Sequence, residues 1–451
     1  MHENYDEELL LELVKTKQFR ALRAHLDEMN EVDIAEFLDE LEPDQQVVVF
    51  RLLPKDVAAD VFTYLEDSED QEKIINALSD KELREVLDEL YLDDTVDIIE
   101  DMPANMVSRI LRNTDASTRS QINQLLKYPE DSAGSIMTTE FIYLHPNATV
   151  EESFARIRKV GLDKETVYTC YVVESNRLQG VVSARNLLLA DPKTPITEIM
   201  DDNLVTVKVT DDQEFVAREM QRYDFTAMPV VDNEGMFVGI ITIDDAIDVL
   251  TDESTEDMQK MAAILPADEA TTYFGTSVWT HAKQRIPWLL ILMLSATFTG
   301  AIITHFENAL AAQVVLTAFI PMLMDTGGNC GSQSSVTVIR GLSLGEIKSG
   351  DWLRVMGKEL QVGLLCGGTL AAVNMARLCL LGSTDFYVAL AVSLTLIVTV
   401  TCAKLLGCCL PILASRLKLD PAVMASPLIT TIADAVSLFV YFRIAVCLLK
   451  L

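Results

Sequence analysis

The sequence predicts a multidomain fold with an acidic all-α N-terminal domain, a tandem α+β pair and an α-helical membrane domain with five spans. Three observations support this prediction. Charge is concentrated in the first part of the 451 residues, the apolar periodicity changes from helical to alternating near residue 131, and segments of about 20 apolar residues, long enough to cross a bilayer, begin after residue 271. We expect domains at residues 1–130, 131–251 and 271–451, with an acidic connecting helix over residues 244–270.

Net charge separates the two parts of the chain. Residues 271–451 contain 12 Lys or Arg and 8 Asp or Glu, whereas residues 1–270 contain 24 bases and 60 acids, a net charge of −36. Such a field repels nucleic acid and attracts cations, or it simply keeps a water-exposed region soluble. The acidic opening MHENYDEELL lacks the basic start and apolar core of a secretory signal, so we expect the first part to stay in the cytoplasm.

The first 130 residues read as helices, because apolar residues recur at spacings of three and four without strand-like alternation. A short unit of paired apolar residues recurs, followed by an acidic or proline-containing turn. One such amphipathic unit cannot bury its own apolar face, so stacked helical hairpins are expected. The recurring units occupy residues 34–38, 57–62, 83–87 and 96–99.

Residues 131–251 read as two copies of a β-α-β-β-α unit, at about 131–194 and 195–251, in which residues 180–183 match residues 239–242. This arrangement resembles a pair of CBS domains, modules that usually bind adenine nucleotides or act as ligand-sensing dimerisation units. Thr242 and Asp245 in the second copy are similar to the ribose-binding Thr/Ser-x-x-Asp of that family, which implies ATP as a possible ligand. The first copy lacks the Asp, and a regulatory pair without any ligand is the alternative.

The connecting helix is unusually acidic, with seven carboxylates between residues 244 and 257 and no base before Lys260. Like charges four residues apart destabilise an isolated helix, so this helix needs counter-charges. Bases from a neighbour or divalent cations could supply them, and a solvated linker helix is the alternative. The seven acids are Asp244, Asp245, Asp248, Asp252, Glu253, Glu256 and Asp257.

Five spans are the simplest interpretation of the apolar segments in the last part of the chain. Bases lie before the first span, between the second and third, and between the fourth and fifth, so the acidic part should face the cytoplasm and the C-terminus should lie outside. We therefore expect a multi-pass protein of the cell inner (plasma) membrane. The predicted spans are residues 286–304, 308–339, 360–383, 386–415 and 421–442.

Asp434 is the one ionisable side chain in the last predicted span. A carboxylate at the bilayer centre costs about 2.5–3.5 kcal/mol on insertion scales, so it indicates a functional site. The alternatives are an acid that is merely interfacial and a salt bridge to a base on another helix, such as Arg377 or Lys404. The second predicted span is also unusual, because residues 321–335 contain one Pro, three Gly and several amides and hydroxyls. Such residues line a wet path or a close helix contact.

These features together resemble the MgtE family of magnesium channels over nearly the whole chain, most specifically in residues 328–333 and 420–434. The resemblance implies a homodimer that takes up Mg²⁺, with Asp434 in the pore and cytoplasmic acids that sense the same ion. At high concentration the ion would bridge these acids and hold the connecting helix against the pore, and at low concentration carboxylate repulsion would open it. The implied sensing residues are Asp93, Asp97, Asp224, Asp245, Asp248, Glu253, Glu256 and Asp257, while Glu66, Asp67, Glu69 and Asp70 compete for a further position.

Two other functions remain open from the sequence. A nucleotide-gated transporter of an organic solute would use the paired α+β units as its main sensor. A membrane-embedded metal-dependent hydrolase would need a catalytic ion near Asp325 and Asp434, but the membrane part offers only His281 and His305 and has no zinc-type cluster. We expect a protein that is not an enzyme, with the lipid bilayer and divalent cations as partners and no nucleic acid.

Overall fold

The computed structural model describes residues 6–65, 68–100, 102–265, 273, 276–381, 385–424 and 426–450. Glu66 and Asp67, two candidates for a further sensing acid, lie outside the described residues. The chain forms two compact units, each treated separately below. The first unit comprises Met1–Glu253 and Asp268–Gly275, and the second comprises Ser254–Ala267 and Thr276–Leu451.

The first unit begins with ten short α-helices, as the apolar periodicity predicted. Several start at side chains that satisfy their first N–H groups, such as the capping box of Ser79 and Glu82. Alternate helices pack on each other, so that the third contacts the fifth, the fifth the seventh and the seventh the ninth. The helices are α1 Glu7–Lys15, α2 Phe19–Leu26, α3 Glu31–Asp39, α4 Pro43–Phe50, α5 Lys55–Thr63, α6 Ser68–Ala77, α7 Asp80–Leu87, α8 Leu92–Glu100, α9 Ala104–Asn113 and α10 Ala116–Leu125.

Two similar α/β subdomains follow, each with a three-stranded sheet. In each sheet the first strand pairs in parallel with the second, and the second pairs antiparallel with the third. The first helix of this pair begins directly after Thr149, which forms a capping box with Glu152. The elements are β1 Tyr143–Leu144, α11 Val150–Val160, β2 Thr169–Glu174, β3 Arg177–Ser183 and α12 Ala184–Leu189 in the first subdomain, and β4 Val207–Lys208, α13 Gln213–Tyr223, β5 Ala227–Val231 and β6 Phe237–Thr242 in the second.

The acidic connecting helix, α14, spans Ile243–Met261 and directly follows β6. Its first turns bury Ala246 and Val249, which gives this part of the helix one packed face. Most of its carboxylates therefore lie on the remaining faces.

The second unit contains four helices that are long and apolar enough to cross a membrane, among the residues that the structure describes: Val278–His305, Trp352–Leu380, Phe386–Arg416 and Pro427–Leu449. The predicted count of five is not confirmed. The helices of the second unit are α15 Val278–His305, α16 Glu307–Ala312, α17 Ile320–Ser343, α18 Trp352–Leu381, α19 Phe386–Arg416 and α20 Ser426–Leu449.

Two predicted span boundaries are wrong. Residues 308–319 form the end of α16 and a short 3₁₀ helix, Val314–Phe319, so the long helix begins only at Ile320. The last span begins at Ser426 rather than at residue 421, because Ala422–Met424 form another 3₁₀ turn after the Asp420 side chain accepts a hydrogen bond from the N–H of Ala422.

The polar segment at residues 321–335 is a continuous part of α17, because Pro321 lies in the first helical turn, where its missing N–H costs nothing. The glycines lie where α17 meets its neighbours. A Cβ on Gly327 would lie 2.6 Å from Oγ of Ser437, and one on Gly331 would lie 2.7 Å from Cγ2 of Ile429. The glycines therefore serve close helix packing, which was the alternative to a broken backbone.

Candidate cation sites

Six carboxylates from four segments of the first unit interact with one another, and we call them the acidic cluster. The start of α8 supplies Asp93 and Asp94, and the start of α14 supplies Asp244 and Asp245. Glu140 precedes β1 and Glu165 precedes β2. Each of Asp93, Asp94 and Glu165 interacts electrostatically with Asp245.

Hydrogen bonds fix the position of this cluster. Glu140 Oε2 accepts from the N–H of Leu92 at 3.1 Å, at the first turn of α8, where the helix dipole favours a negative charge. The N–H of Glu165 donates to the backbone oxygen of Glu140 at 3.0 Å. The Thr242 hydroxyl donates to Asp245 Oδ2 at 2.6 Å, across the junction between β6 and α14.

Burial and mutual repulsion raise the pKa values of the cluster. Burial first, and then the charges of Asp245 and its neighbours, raise the pKa of Asp94 to about 7 and that of Glu165 to about 8. Burial also raises the pKa of Asp245 to about 6, although the hydrogen bond from Thr242 opposes this shift. Asp93 is 5% exposed, and burial raises its pKa well above the ordinary range. The cluster therefore gains from either bound protons or a bound cation.

The cluster fits a cation through its unsatisfied oxygens. Among the described residues, Asp93 Oδ1 and Glu165 Oε2 are buried without a hydrogen-bond partner, which is costly unless something compensates the charge. No group of three or more His, Cys, Asp or Glu side chains within the described residues converges closely enough to hold a metal ion directly.

The other predicted sensing residues are spread along the first unit and α14. Asp97 is exposed one turn after Asp93, and Asp224 is the exposed, left-handed residue that ends α13. Asp248 is exposed on α14, and its pKa is raised by partial burial and by Asp244. Glu253 Oε1 accepts from Gln213 Nε2 at 3.3 Å, so this acid already has a neutral partner.

Lys260 supplies a base at the end of α14. Its ammonium lies 2.6 Å from Glu256 Oε2 and 2.7 Å from Asp420 Oδ2, and Asp420 belongs to the segment that leads into α20. Desolvation lowers the pKa of Lys260, but the hydrogen bonds from its ammonium to Asp420 and Glu256 prevail and raise it to about 12. Glu256 is therefore paired with a base, and Asp257 follows it on the same helix.

Asp434 lies on α20 where this helix packs against α17 and α19. Its Oδ1 atom is buried and has no hydrogen-bond partner among the described residues. The charged neighbour that acts on it is Asp325 of α17. The salt-bridge alternative is not supported, because Arg377 donates to Asn374 Oδ1 at 3.0 Å and no ion pair joins Asp434 to any described base.

A polar stripe lies on the open face of α17. Asp325, Asn329 and Gln333 follow at intervals of four residues and are all exposed within the second unit. The opposite face carries the packed glycines. If α17 crosses the membrane, this stripe is stable only against water or another protein surface.

Of the predicted sensing residues, the structure places Asp93 and Asp245 in the acidic cluster. The sequence pattern does not single out Glu140 or Glu165. Both glutamates lie in connecting segments without periodicity, and the chain fold brings them to α8. Only the adjacent pair Asp93 and Asp94, in a helix that is otherwise mostly apolar, gave a signal.

Comparison with known proteins gives three matching family models. The model described as "Divalent cation transporter" matches residues 320–444, the MgtE intracellular N domain matches residues 29–131, and the CBS domain matches residues 133–193 and 196–252. The chain is 40% identical to the magnesium transporter MgtE of Thermus thermophilus over 98% of both chains. It is 32% identical to MgtE of Bacillus subtilis, over 98% of this chain and 97% of that one.

Two solved structures match the first part of the chain. A crystal structure of the cytosolic domain of the Mg²⁺ channel MgtE in complex with ATP is 41% identical, with a TM-score of 0.52, and covers 54% of this chain and all of that one. The soluble part of a magnesium transporter is 32% identical, with a TM-score of 0.51, and covers 55% of this chain and 98% of that one. On this full-length similarity, the chain belongs to the MgtE family of magnesium transporters.

Proposed function

We propose that this protein is a channel that carries Mg²⁺ into the cell along a path lined by α17 and α20, with Asp434 as its ion-binding residue. The observation that carries the proposal is the buried Oδ1 atom of Asp434, which has no hydrogen-bond partner among the described residues and lies near a second acid, Asp325. A carboxylate at this depth favours cations, and divalent ions gain most from it. Mg²⁺ gives up its water reluctantly, so a largely hydrated ion would bind there.

The proposed path requires α17 to cross the membrane as well, which brings the number of spans to five. This helix has 24 residues, about 36 Å at 1.5 Å per residue, which is enough to cross the hydrocarbon core. Five spans and the base-rich connections on one side give a cytoplasmic N-terminus and an outer C-terminus.

We also propose that the protein is a homodimer. The polar stripe of Asp325, Asn329 and Gln333 is exposed within the single chain, and lipid is a poor solvent for it. A second copy facing this stripe would enclose a water-filled path and bring a second Asp434 to it. The mass of the detergent-solubilised protein tests this, because a monomeric mass would contradict it.

The acidic cluster supports regulation by Mg²⁺ on the cytoplasmic side. The cluster joins carboxylates from α8, from the segments that precede β1 and β2 in the first α/β subdomain, and from α14, so a cation bound there favours the arrangement that holds these segments together. The ion can shift the equilibrium only by its different affinity for the two states. The unpartnered oxygens of Asp93 and Glu165 are the source of that difference.

ATP is a second ligand that we propose for the first unit. Thr242 and Asp245 have the Thr-x-x-Asp spacing expected for ribose binding, and their side chains are joined by a 2.6 Å hydrogen bond. The similar cytosolic domain was crystallised with ATP. Calorimetry should detect ATP binding to the full chain, with binding weakened in Thr242→Ala; equal affinity in the two proteins would exclude this residue.

Flux through liposomes tests the proposed path. Asp434→Asn keeps the shape of the side chain but removes its charge, so Mg²⁺ entry measured with an enclosed dye should fall about tenfold or more, which corresponds to ~1.4 kcal/mol of lost ion binding. Glu346→Gln removes an exposed acid from the connection between α17 and α18 and should leave the flux unchanged. Normal flux in Asp434→Asn, with an unchanged gel-filtration profile, would contradict the pore assignment. Entry of an organic solute that depends on ATP would favour the alternative transporter.

A further inference from the structure

A groove on the second unit lies between the first turns of α18 and the last turns of α19. It has a volume of about 330 Å³ and is lined by Trp352, Met356, Cys409, Ile412, Leu413 and Arg416. Trp352 and Met356 are four residues apart on α18, and the α19 residues follow at intervals of three and four, so each helix contributes one stripe. We call this the interfacial groove.

The two ends of the interfacial groove differ in chemistry. Its body is apolar, and Leu413 is 52% exposed along it. At its mouth the guanidinium carbon of Arg416 lies 5.5 Å from the centre of the Trp352 ring. Trp is typical of the level of the lipid headgroups, and an Arg there extends its charge to the interface while its stem stays in apolar surroundings.

The charges around the groove favour an anionic occupant. Lys348 and Lys418 lie in the connections that adjoin Trp352 and Arg416, and Lys358 lies on α18. Of the nearby acids, Asp351 accepts a hydrogen bond from the N–H of Lys348, Glu359 from Ser334 and Asp420 from the ammonium of Lys260. Glu346 is an exposed acid in the connection between α17 and α18. The planar guanidinium of an Arg matches the geometry of a phosphate group.

We propose that the interfacial groove binds one anionic phospholipid, with its phosphate on Arg416 and part of an acyl chain along Met356, Ile412 and Leu413. The groove lies beside two helices that are long and apolar enough to cross the membrane, so lipid reaches it directly. The aromatic ring of Trp352 separates the apolar body from the charged mouth and sets the depth of the headgroup. This groove is separate from the path at Asp434, so the lipid proposal does not depend on the proposed conduction of Mg²⁺.

Fluorescence quenching provides a direct test, because Trp352 is one of only three tryptophans in the chain. In a Trp279→Phe, Trp288→Phe background, the full chain is placed in phosphatidylcholine vesicles that contain bromine-labelled phosphatidylglycerol or bromine-labelled phosphatidylcholine at equal mole fraction. We expect the anionic lipid to occupy the groove about fivefold more favourably, the preference expected for one base near an anionic surface.

Matched variants assign this preference to the groove. Arg416→Gln should remove the preference, Arg416→Lys should keep most of it, and Arg354→Gln, which removes an exposed base outside the groove, should leave it unchanged. Equal quenching by both lipids in the parent protein would overturn the proposal, since the groove would then hold only bulk lipid. Quenching by neither lipid would also overturn it, because protein would then cover the groove.

Discussion

Lys260 is a fixed positive charge between two acids that come from different segments of the second unit. Its ammonium lies within 2.7 Å of both Glu256 and Asp420. Without it, these carboxylates would repel each other or require a cation from solution. The ammonium of Lys260 thus supplies part of the positive charge that the acidic helix α14 needs.

Replacing Lys260 should loosen the end of α14. We expect Lys260→Gln to speed amide hydrogen exchange in residues 254–261 about two- to fivefold in the absence of Mg²⁺, the range expected when a partly exposed ion pair is lost. Mass spectrometry of the full chain measures this rate. Lys260→Arg retains the charge and should exchange at nearly the parent rate, and an unchanged rate in Lys260→Gln would show that the pair does not hold this turn.

At the level of the elements, the packing of α17 depends on residues without side chains. A Cβ on Gly328 would lie 2.7 Å from Cγ2 of Thr430, and one on Gly331 would lie equally close to Ile429. An added Cβ at either position would force the two helices apart, so the close packing of α17 against α20 requires glycine there.

Gly331→Ala should therefore destabilise the second unit although alanine favours a helix. We expect overpacking to lower the free energy of unfolding by about 1–3 kcal/mol. The midpoint of thermal unfolding in detergent should fall accordingly. Gly368→Ala is the matched control, since a Cβ there meets nothing within 4 Å, and it should be neutral or slightly stabilising. Equal midpoints for the two variants would mean that α17 and α20 separate easily.

Element types were predictable where a periodic pattern and local capping agree. The alternating strands and helices of residues 131–251 were predictable because apolar alternation, turns and a capping box lie within a few residues of one another. The start of α17 was not, because residues 308–319 are apolar enough to read as membrane helix and their 3₁₀ turn has no sequence signal. Composition also could not show that Gly331 faces Ile429.

At the scale of the whole molecule, the excess of acid in the first 270 residues requires a source of positive charge from solution. The acidic cluster concentrates six of these carboxylates at one place, and the other acids of α14 add further negative charge. We therefore expect Mg²⁺ on the cytoplasmic side to close the channel through these residues.

Neutralising α14 should separate regulation from conduction. In the variant with Asp245→Asn, Asp248→Asn and Glu256→Gln, we expect Mg²⁺ flux to persist at concentrations that close the parent channel, with the closing midpoint raised about tenfold or more, equivalent to ~1.4 kcal/mol of lost coupling. A liposome assay with controlled Mg²⁺ on the cytoplasmic face measures this. A variant with Glu7→Gln, Glu8→Gln and Glu12→Gln loses the same number of carboxylates, all of them exposed on α1, and should close normally. Retained closure in the first variant would count against the sensor.

Only part of the candidate sites could be predicted from the sequence, because some of their residues meet only when the whole chain folds. Asp434 was evident because one acid in a long apolar segment is costly whatever surrounds it. The acidic cluster depends on four segments that meet only after folding, so Glu140 and Glu165 carried no signal among the many other acids of this part of the chain.

The modest hydropathy of α17 also bears on how the protein is made. Four of the helices that the structure describes are long and apolar enough to cross a membrane by their own composition, whereas the polar stripe and glycines of α17 weaken its own signal for insertion. If α17 remained outside the bilayer during synthesis, α18, α19 and α20 would each enter in the opposite direction. If α17 crosses the membrane, as we propose, the later helices must capture it through its glycine face, and the contacts that shape the proposed path would then also determine on which side of the membrane the C-terminus lies.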